Sequence, residues 1–320
     1  TEQKTSYSQI TQYTVISADT GDVSLIQKLK PKDATTNPTL ILKSIDTYKE
    51  FLDEAIAYSV KKLNSKDPTN KALLELIMEK VCVNFGKAIL ENIEGVVSTE
   101  VDARVSYSIE DSLRIARAII SLYEELNIPR NRILIKLSST WEGILAAQEL
   151  EKEGIRTNLT LVFSLVQAIA CAVKGITLIS PFVGRVNDAY KKKTGIEYSH
   201  KDEPGVVLVK NIFDYFKKFD HSTIIMGASL RSTGSCYELA GCDKLTIPPT
   251  VLEPMMSETT KVEQKLRAEK SKELSIEKVE ISEEYFRKTL EADEIANTLL
   301  KNGIDAFISD SVKLENVIIE

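Results

Sequence analysis

The sequence is poor in the residues that hold metals. Its 320 residues include two histidines, His200 and His221, and four cysteines, Cys82, Cys171, Cys236 and Cys242. The cysteines are scattered with no close pair of the zinc-ribbon kind, so no transition-metal site is expected. Cys171 lies among Ala170, Ala172 and Val173 with no activating base nearby in sequence, and reads as core packing, not as a nucleophile. Scarce, unpaired cysteine suits a reducing compartment. Positive charge is also in deficit: 41 Lys and Arg against 47 Asp and Glu leave a formal net charge of -6. Binding a phosphate backbone needs a concentrated positive face, so a nucleic-acid partner is not expected. A few local arginines still suffice to hold one phosphate on a small metabolite. Long apolar runs are missing too. The longest, residues 159–173, is broken by Ser164 and Gln167 and is too short to span a membrane; it reads as a buried strand end leading into a core helix. Residues 1–13 are polar and lack the apolar centre of a signal peptide, which leads us to expect a cytoplasmic protein, and the absent initiator methionine points to trimming. No GxGxxG, P-loop or HExxH pattern occurs, and neither histidine lies at a strand end beside a serine or cysteine nucleophile.

What is present is a regular alternation of short apolar runs with longer amphipathic segments, the pattern of repeated βα units. Strands are predicted over 13–19, 33–37, 95–102, 132–138, 155–160, 176–182, 223–231 and 243–247. Helices are predicted over 38–65, 71–92, 108–126, 140–153, 165–174 and 204–218. Asn37 before Pro38 marks a helix start, and Glu153 before Gly154 a helix end. Eight strands separated by helices predict an α/β fold, a single (β/α)8 TIM-type barrel. No linker divides the chain, so residues 1–320 read as one domain. Residues 257–300, dense in Lys and Glu with apolar residues at helical spacing, read as C-terminal helices, so that about 257–320 form a helical extension packed on the barrel. Their charge runs, like Lys191, Lys192 and Lys193, read as solvated faces.

Lys136 is the one charge in the otherwise apolar run Ile133 to Leu137. A run with apolar residues on both faces fits a parallel strand covered by helices, where an amine is poorly solvated. Desolvation favours the neutral form of an amine, which can attack a carbonyl and hold it as a Schiff base. The alternative is a lysine that closes the strand and reaches water along its flexible stem. In such a barrel the active site gathers at the C-terminal strand ends, and side chains two apart share a face. That rule groups Ser17 with Asp19, Thr35 with Asn37, Ser98 with Glu100, Lys136 with Ser138, Asn158 with Thr160, Ser180 with Phe182, and Ser229 with Arg231. Singly, each has a structural alternative: Asp19 and Asn37 as helix caps, Glu100 as a partner of Arg104, Ser180 as a partner of backbone groups. Together they supply an amine and carboxylates, which suits carbon-carbon cleavage beside a carbonyl.

These strand ends, read as motifs, are familiar. Residues 33–42 (DATTNPTLIL), 97–104 (VSTEVDAR), 135–151 (IKLSSTWEGILAAQELE), 158–164 (NLTLVFS), 179–185 (ISPFVGR) and 226–231 (MGASLR) resemble the transaldolase family of the pentose phosphate pathway. The resemblance continues through the intervening helices and past residue 250. It implies metal-free Schiff-base chemistry without a cofactor, sugar-phosphate substrates, and a homodimer. It makes Lys136 the Schiff-base lysine and Glu100 the carboxylate that moves protons through a water near Thr160. Asp19 is implied as the acid or base on the substrate hydroxyl at the cleaved bond. Asn37, Asn158 and Ser180 are implied to bind substrate hydroxyls, and Arg185, Ser229 and Arg231 to form a phosphate pocket. The reaction implied is transfer of a dihydroxyacetone unit from sedoheptulose 7-phosphate to glyceraldehyde 3-phosphate. Two rivals stand beside it: a fructose 6-phosphate aldolase releasing free dihydroxyacetone, and a non-catalytic sugar-phosphate-binding protein on the same barrel. The aldolase branch resembles this chain but carries Gln and Tyr where it has Glu100 and Phe182, and retention of Lys136, Glu100 and Asp19 speaks against a non-catalytic protein. Trp141 reads as helix-start packing.

Overall fold

Each of the eight apolar runs forms a strand, and the strands pair in chain order, all parallel, until the last closes on the first. The structure is a computed structural model describing residues 4–320; residues 1–3 of the polar opening segment lie outside the described residues. The strands are β1 (Val15–Asp19), β2 (Asp33–Thr35), β3 (Val97–Glu100), β4 (Ile133–Ser138), β5 (Thr157–Val162), β6 (Leu178–Pro181), β7 (Ile224–Gly227) and β8 (Lys244–Ile247). Helices ring them, so β3 to β6 are buried along their whole length. This explains the near-continuous apolar character of their sequences. Together with the helices that follow the barrel in the chain, this is the (β/α)8 barrel with C-terminal helices.

Short polar residues start several of the helices as they should. Asp22 accepts hydrogen bonds from the Ser24 and Leu25 amides at 3.0 and 3.3 Å, Asn37 from Leu40 at 2.9 Å, and Thr140 from Gly143 at 2.9 Å. The Asp22 cap removes one alternative for Asp19, which caps nothing. The span 38–65 is two helices, Pro38–Ser44 and Lys49–Leu63, rather than one. Between them Tyr48 turns back so that its hydroxyl donates to Asp22 at 2.7 Å and its ring stacks on Phe51 at 5.3 Å. Tertiary contact overrides a helical pattern there. Trp141 packs against Phe286, ring centroids 5.2 Å apart, and Cys171 is fully buried, both as expected.

The C-terminal extension departs further from expectation. Only Ala268–Glu273, Glu283–Ala292 and Glu294–Ile319 are helical; residues 258–267 and 274–282 are not. The intervening segments are held by tertiary bonds that replace a helix ladder: Val262 to Gln9 at 2.8 Å, Lys265 and Leu266 to the Ala240 carbonyl, Val279 to the Tyr215 hydroxyl at 3.0 Å. The last helix, Glu294–Ile319, crosses the C-terminal end of the barrel. Arg104 pins it through Glu315 at 2.7 Å, and the Thr39 hydroxyl donates to Asp310.

Candidate active site

Lys136 stands above an apolar floor. Leu134, two residues earlier on the same face of β4, meets Leu178 and Met226 inside the barrel and closes it below. Above that layer the interior turns polar. Asn158 donates to Ser98 Oγ at 3.0 Å and accepts from Ser180 Oγ at 2.7 Å, tying β3, β5 and β6 together. Thr35 donates to Asp19 at 2.8 Å and lies 2.6 Å from Thr246 of β8. Buried except for the half-buried Asp19, these groups are worth their desolvation only because they satisfy one another. Thr246 escaped the sequence reading, although its alternation with Lys244 along β8 was there to see.

Lys136 is 5% exposed, and its Nζ donates to the Thr36 carbonyl at 3.2 Å. Among the described residues it forms no ion pair, unlike the other buried lysine, Lys80, whose Nζ is 3.7 Å from Glu54. Two carboxylates nonetheless feel its charge. Burial pushes Glu100 up to about 7, against the opposing pull of Lys136 and Arg185. Asp19 is raised by the same cause, opposed by Lys136, by the Thr35 hydrogen bond and by Arg185. Arg104, the alternative partner for Glu100, binds Asp102 and Glu315 instead. Both Glu100 oxygens and Thr160 Oγ1 are buried and make no hydrogen bond within the described residues. Asn37 sits at the rim, its side-chain oxygen engaged as the helix cap, so the structural alternative holds for that atom.

The strand-face rule fails at β7, which ends at Gly227. Ser229 lies beyond it with φ 55°, a left-handed conformation uncommon outside glycine, and its Oγ accepts from the Arg185 amide at 3.3 Å. Arg231 is exposed and pairs with Asp188 at 2.8 Å. Arg185 comes from the helix Gly184–Thr194, which the sequence reading did not find. That helix has no side-chain cap, which removes the usual signal. Its start is set by Gly184, whose amide donates to the Ser229 carbonyl at 2.6 Å. A Cβ there would meet that carbonyl oxygen and Arg231 Nε at 2.4 Å, so only glycine brings the two arginine-bearing segments this close. Phe182 is 7% exposed; its ring packs against Phe163 at 5.2 Å and under the Arg185 guanidinium at 5.1 Å. Lys136, Asp19, Glu100, Thr160, Asn158 and Ser180 therefore gather at the end of the barrel, with Asn37 at its rim. Ser229, Arg231 and the cation–π pair Phe182 and Arg185 form one flank.

The sequence matches the Transaldolase/Fructose-6-phosphate aldolase family over residues 16–318. Among curated relatives, a transaldolase of Acidobacterium capsulatum is 48% identical over 97% of this chain and 92% of its own. One of Shewanella loihica is 49% identical, covering 97% and 96%. A third, of Protochlamydia amoebophila, is 47% identical, covering 99% and 98%.

Proposed function

The chain belongs to the transaldolase and fructose-6-phosphate aldolase family, and on that premise we propose that it moves a dihydroxyacetone unit from sedoheptulose 7-phosphate to glyceraldehyde 3-phosphate through a Schiff base on Lys136. The observation that carries this reading is the buried amine of Lys136, free of any ion pair among the described residues and set beside two carboxyls that burial shifts upward, Glu100 to about 7 and Asp19 in the same direction. Such a trio supplies a nucleophile and two proton carriers at one end of the barrel.

In the proposed reaction the Lys136 amine attacks the ketose carbonyl, forming a carbon-nitrogen bond. Glu100 moves protons as the carbinolamine hydroxyl leaves as water and the iminium forms. A water joined to Thr160 Oγ1 and the Glu100 oxygens would satisfy three buried polar atoms at once, which supports that route. Asp19 then takes the proton of the hydroxyl on the carbon beyond the cleaved bond. The carbon-carbon bond breaks, its electrons move into the iminium to give an enamine, and erythrose 4-phosphate leaves. The enamine attacks glyceraldehyde 3-phosphate, Asp19 returns its proton to the new alkoxide, and hydrolysis frees fructose 6-phosphate. Asn37, Asn158 and Ser180 orient the ketose hydroxyls. Arg185, Ser229 and Arg231 hold the phosphate. We also read the whole chain as one domain and its working form as a cytoplasmic homodimer, which sedimentation would test.

Turnover of fructose 6-phosphate with erythrose 4-phosphate as acceptor, set against dihydroxyacetone formed without acceptor, tests the reading. Transfer dominates if it is right; release alone marks an aldolase, and neither marks a binding protein. Two variants sharpen this. Arg185→Ala and Arg231→Ala should each raise KM for phosphorylated substrates roughly ten- to hundredfold, the worth of a charge-assisted contact. The smaller loss is expected for Arg231, which must first give up Asp188. Equal losses with unphosphorylated acceptors would make the arginines structural. Phe182→Tyr should raise the ratio of release to transfer, because an added hydroxyl can order water or give a proton to the enamine. An unchanged ratio in the folded variant would leave Phe182 as packing alone.

A further inference from the structure

Most arginines of this protein are held edge-on by carboxylates: Arg104 by Asp102 and Glu315, Arg114 by Glu75, Arg117 by Glu153, Arg231 by Asp188. Arg185 is held differently. Among the described residues its guanidinium makes no ion pair. Its Cζ lies instead over two aromatic rings, 5.1 Å from the Phe182 centroid and 5.7 Å from that of Phe307. Phe307 belongs to the C-terminal helix Glu294–Ile319 and is 1% exposed. One turn earlier, on the same face, Gly303 lets that helix approach the site. A Cβ at Gly303 would sit 3.3 Å from Arg185 Nη1 and 2.8 Å from Leu161 Cδ2. Leu161 itself is fully buried at φ 58°, immediately after Thr160, at the point where the β5–β6 register shifts.

A carboxylate partner would hold a guanidinium firmly, but it would occupy the donors and cancel the charge that a phosphate needs. Aromatic faces attract the cation through the ring quadrupole and leave all five edge N–H groups free. They also exclude water, which strengthens a later charge-assisted contact. We propose that the C-terminal helix completes the phosphate site: Phe307 and Gly303 are positioning residues that hold Arg185 by its face, with its edge open to a phosphate monoester. This rests on the reading of Arg185 as a phosphate contact. It gives a segment far outside the strand ends a part in substrate affinity.

Phe307→Leu keeps apolar bulk and removes the ring face. Loss of one cation–π contact should raise both KM for fructose 6-phosphate and the inhibition constant of inorganic phosphate about three- to tenfold, with kcat held within about twofold. Gly303→Ala, which presses on Arg185 and Leu161, should move both constants in the same direction, and it stands in if Phe307→Leu fails to fold. In an Arg185→Ala background Phe307→Leu should cost nothing further. Additive losses in that background, or a fall in kcat with phosphate inhibition unchanged, would reduce the helix to packing and overturn the proposal while leaving Arg185 as the phosphate contact. Unchanged phosphate inhibition in Arg185→Ala alone would remove that contact, and the proposal with it.

Discussion

Lys136→Arg should abolish transfer, by roughly 10⁴-fold or more, since removing the nucleophile of a covalent mechanism costs nearly all of its chemistry. The substitution is chosen to keep the rest of the site. A guanidinium retains the positive charge between Asp19 and Glu100 and can still donate to the Thr36 carbonyl, yet it cannot form an imine. Thermal unfolding close to that of the parent protein would separate lost chemistry from lost fold. The complementary measurement is borohydride reduction in the presence of fructose 6-phosphate followed by peptide mapping. The adduct should fall on Lys136 and carry the mass of a dihydroxyacetone unit. Lys80 is the informative control, because it is equally buried but faces Glu54 and the Tyr58 ring. Modification of Lys80 or of any surface lysine in place of Lys136, or substantial turnover by the arginine variant, would end the Schiff-base assignment.

Lys136 stood out in sequence for the reason it stands out in space: a charge in a strand apolar on both faces has few explanations. Glu100, Asp19, Asn158 and Ser180 were legible for a related reason. The period of a strand is fixed at two, so residues that alternate into a barrel are known once the strand is. That rule ends where the strand ends. Ser229 and Arg231 lie past Gly227 in a segment whose course is set by a left-handed residue and by the Gly184 approach, neither of which has a period. The helix carrying Arg185 starts without a cap, and its three consecutive lysines read as surface, which they are. Residues 258–267 and 274–282 have helical spacing and yet are pulled straight by bonds to Gln9, Ala240 and Tyr215, partners remote in sequence. The return of Phe307 and Gly303 to the barrel mouth is of this long-range kind too, and nothing local announces it.

Glu100→Gln should lower kcat about 10²- to 10³-fold, the usual scale for a lost proton carrier, while making the protein more stable at neutral and alkaline pH. Both effects have one origin. The Glu100 carboxyl is buried with no hydrogen-bond partner among the described residues, and burial pushes it up to about 7, despite the opposing charges of Lys136 and Arg185. A group poised near 7 both takes and gives a proton at working pH, as imine formation and hydrolysis demand. The same shift penalises the fold. A carboxyl whose folded pKa is raised favours the folded state fully below its unfolded value, near 4.5, and loses that contribution as pH rises through about 7. Glutamine does not ionise, so its advantage should be small at pH 4 and grow to on the order of 1–3 kcal/mol by pH 8. Paired measurements read this directly: thermal midpoints of both proteins from pH 4 to 8, and kcat/KM over the same range. The limb centred near 7 in the parent's rate profile should vanish in the variant. A stability gain of equal size at every pH would mean that the carboxyl does not titrate in this window. A limb that survives the substitution would belong to another group, with Asp19, raised by the same burial, the first to examine.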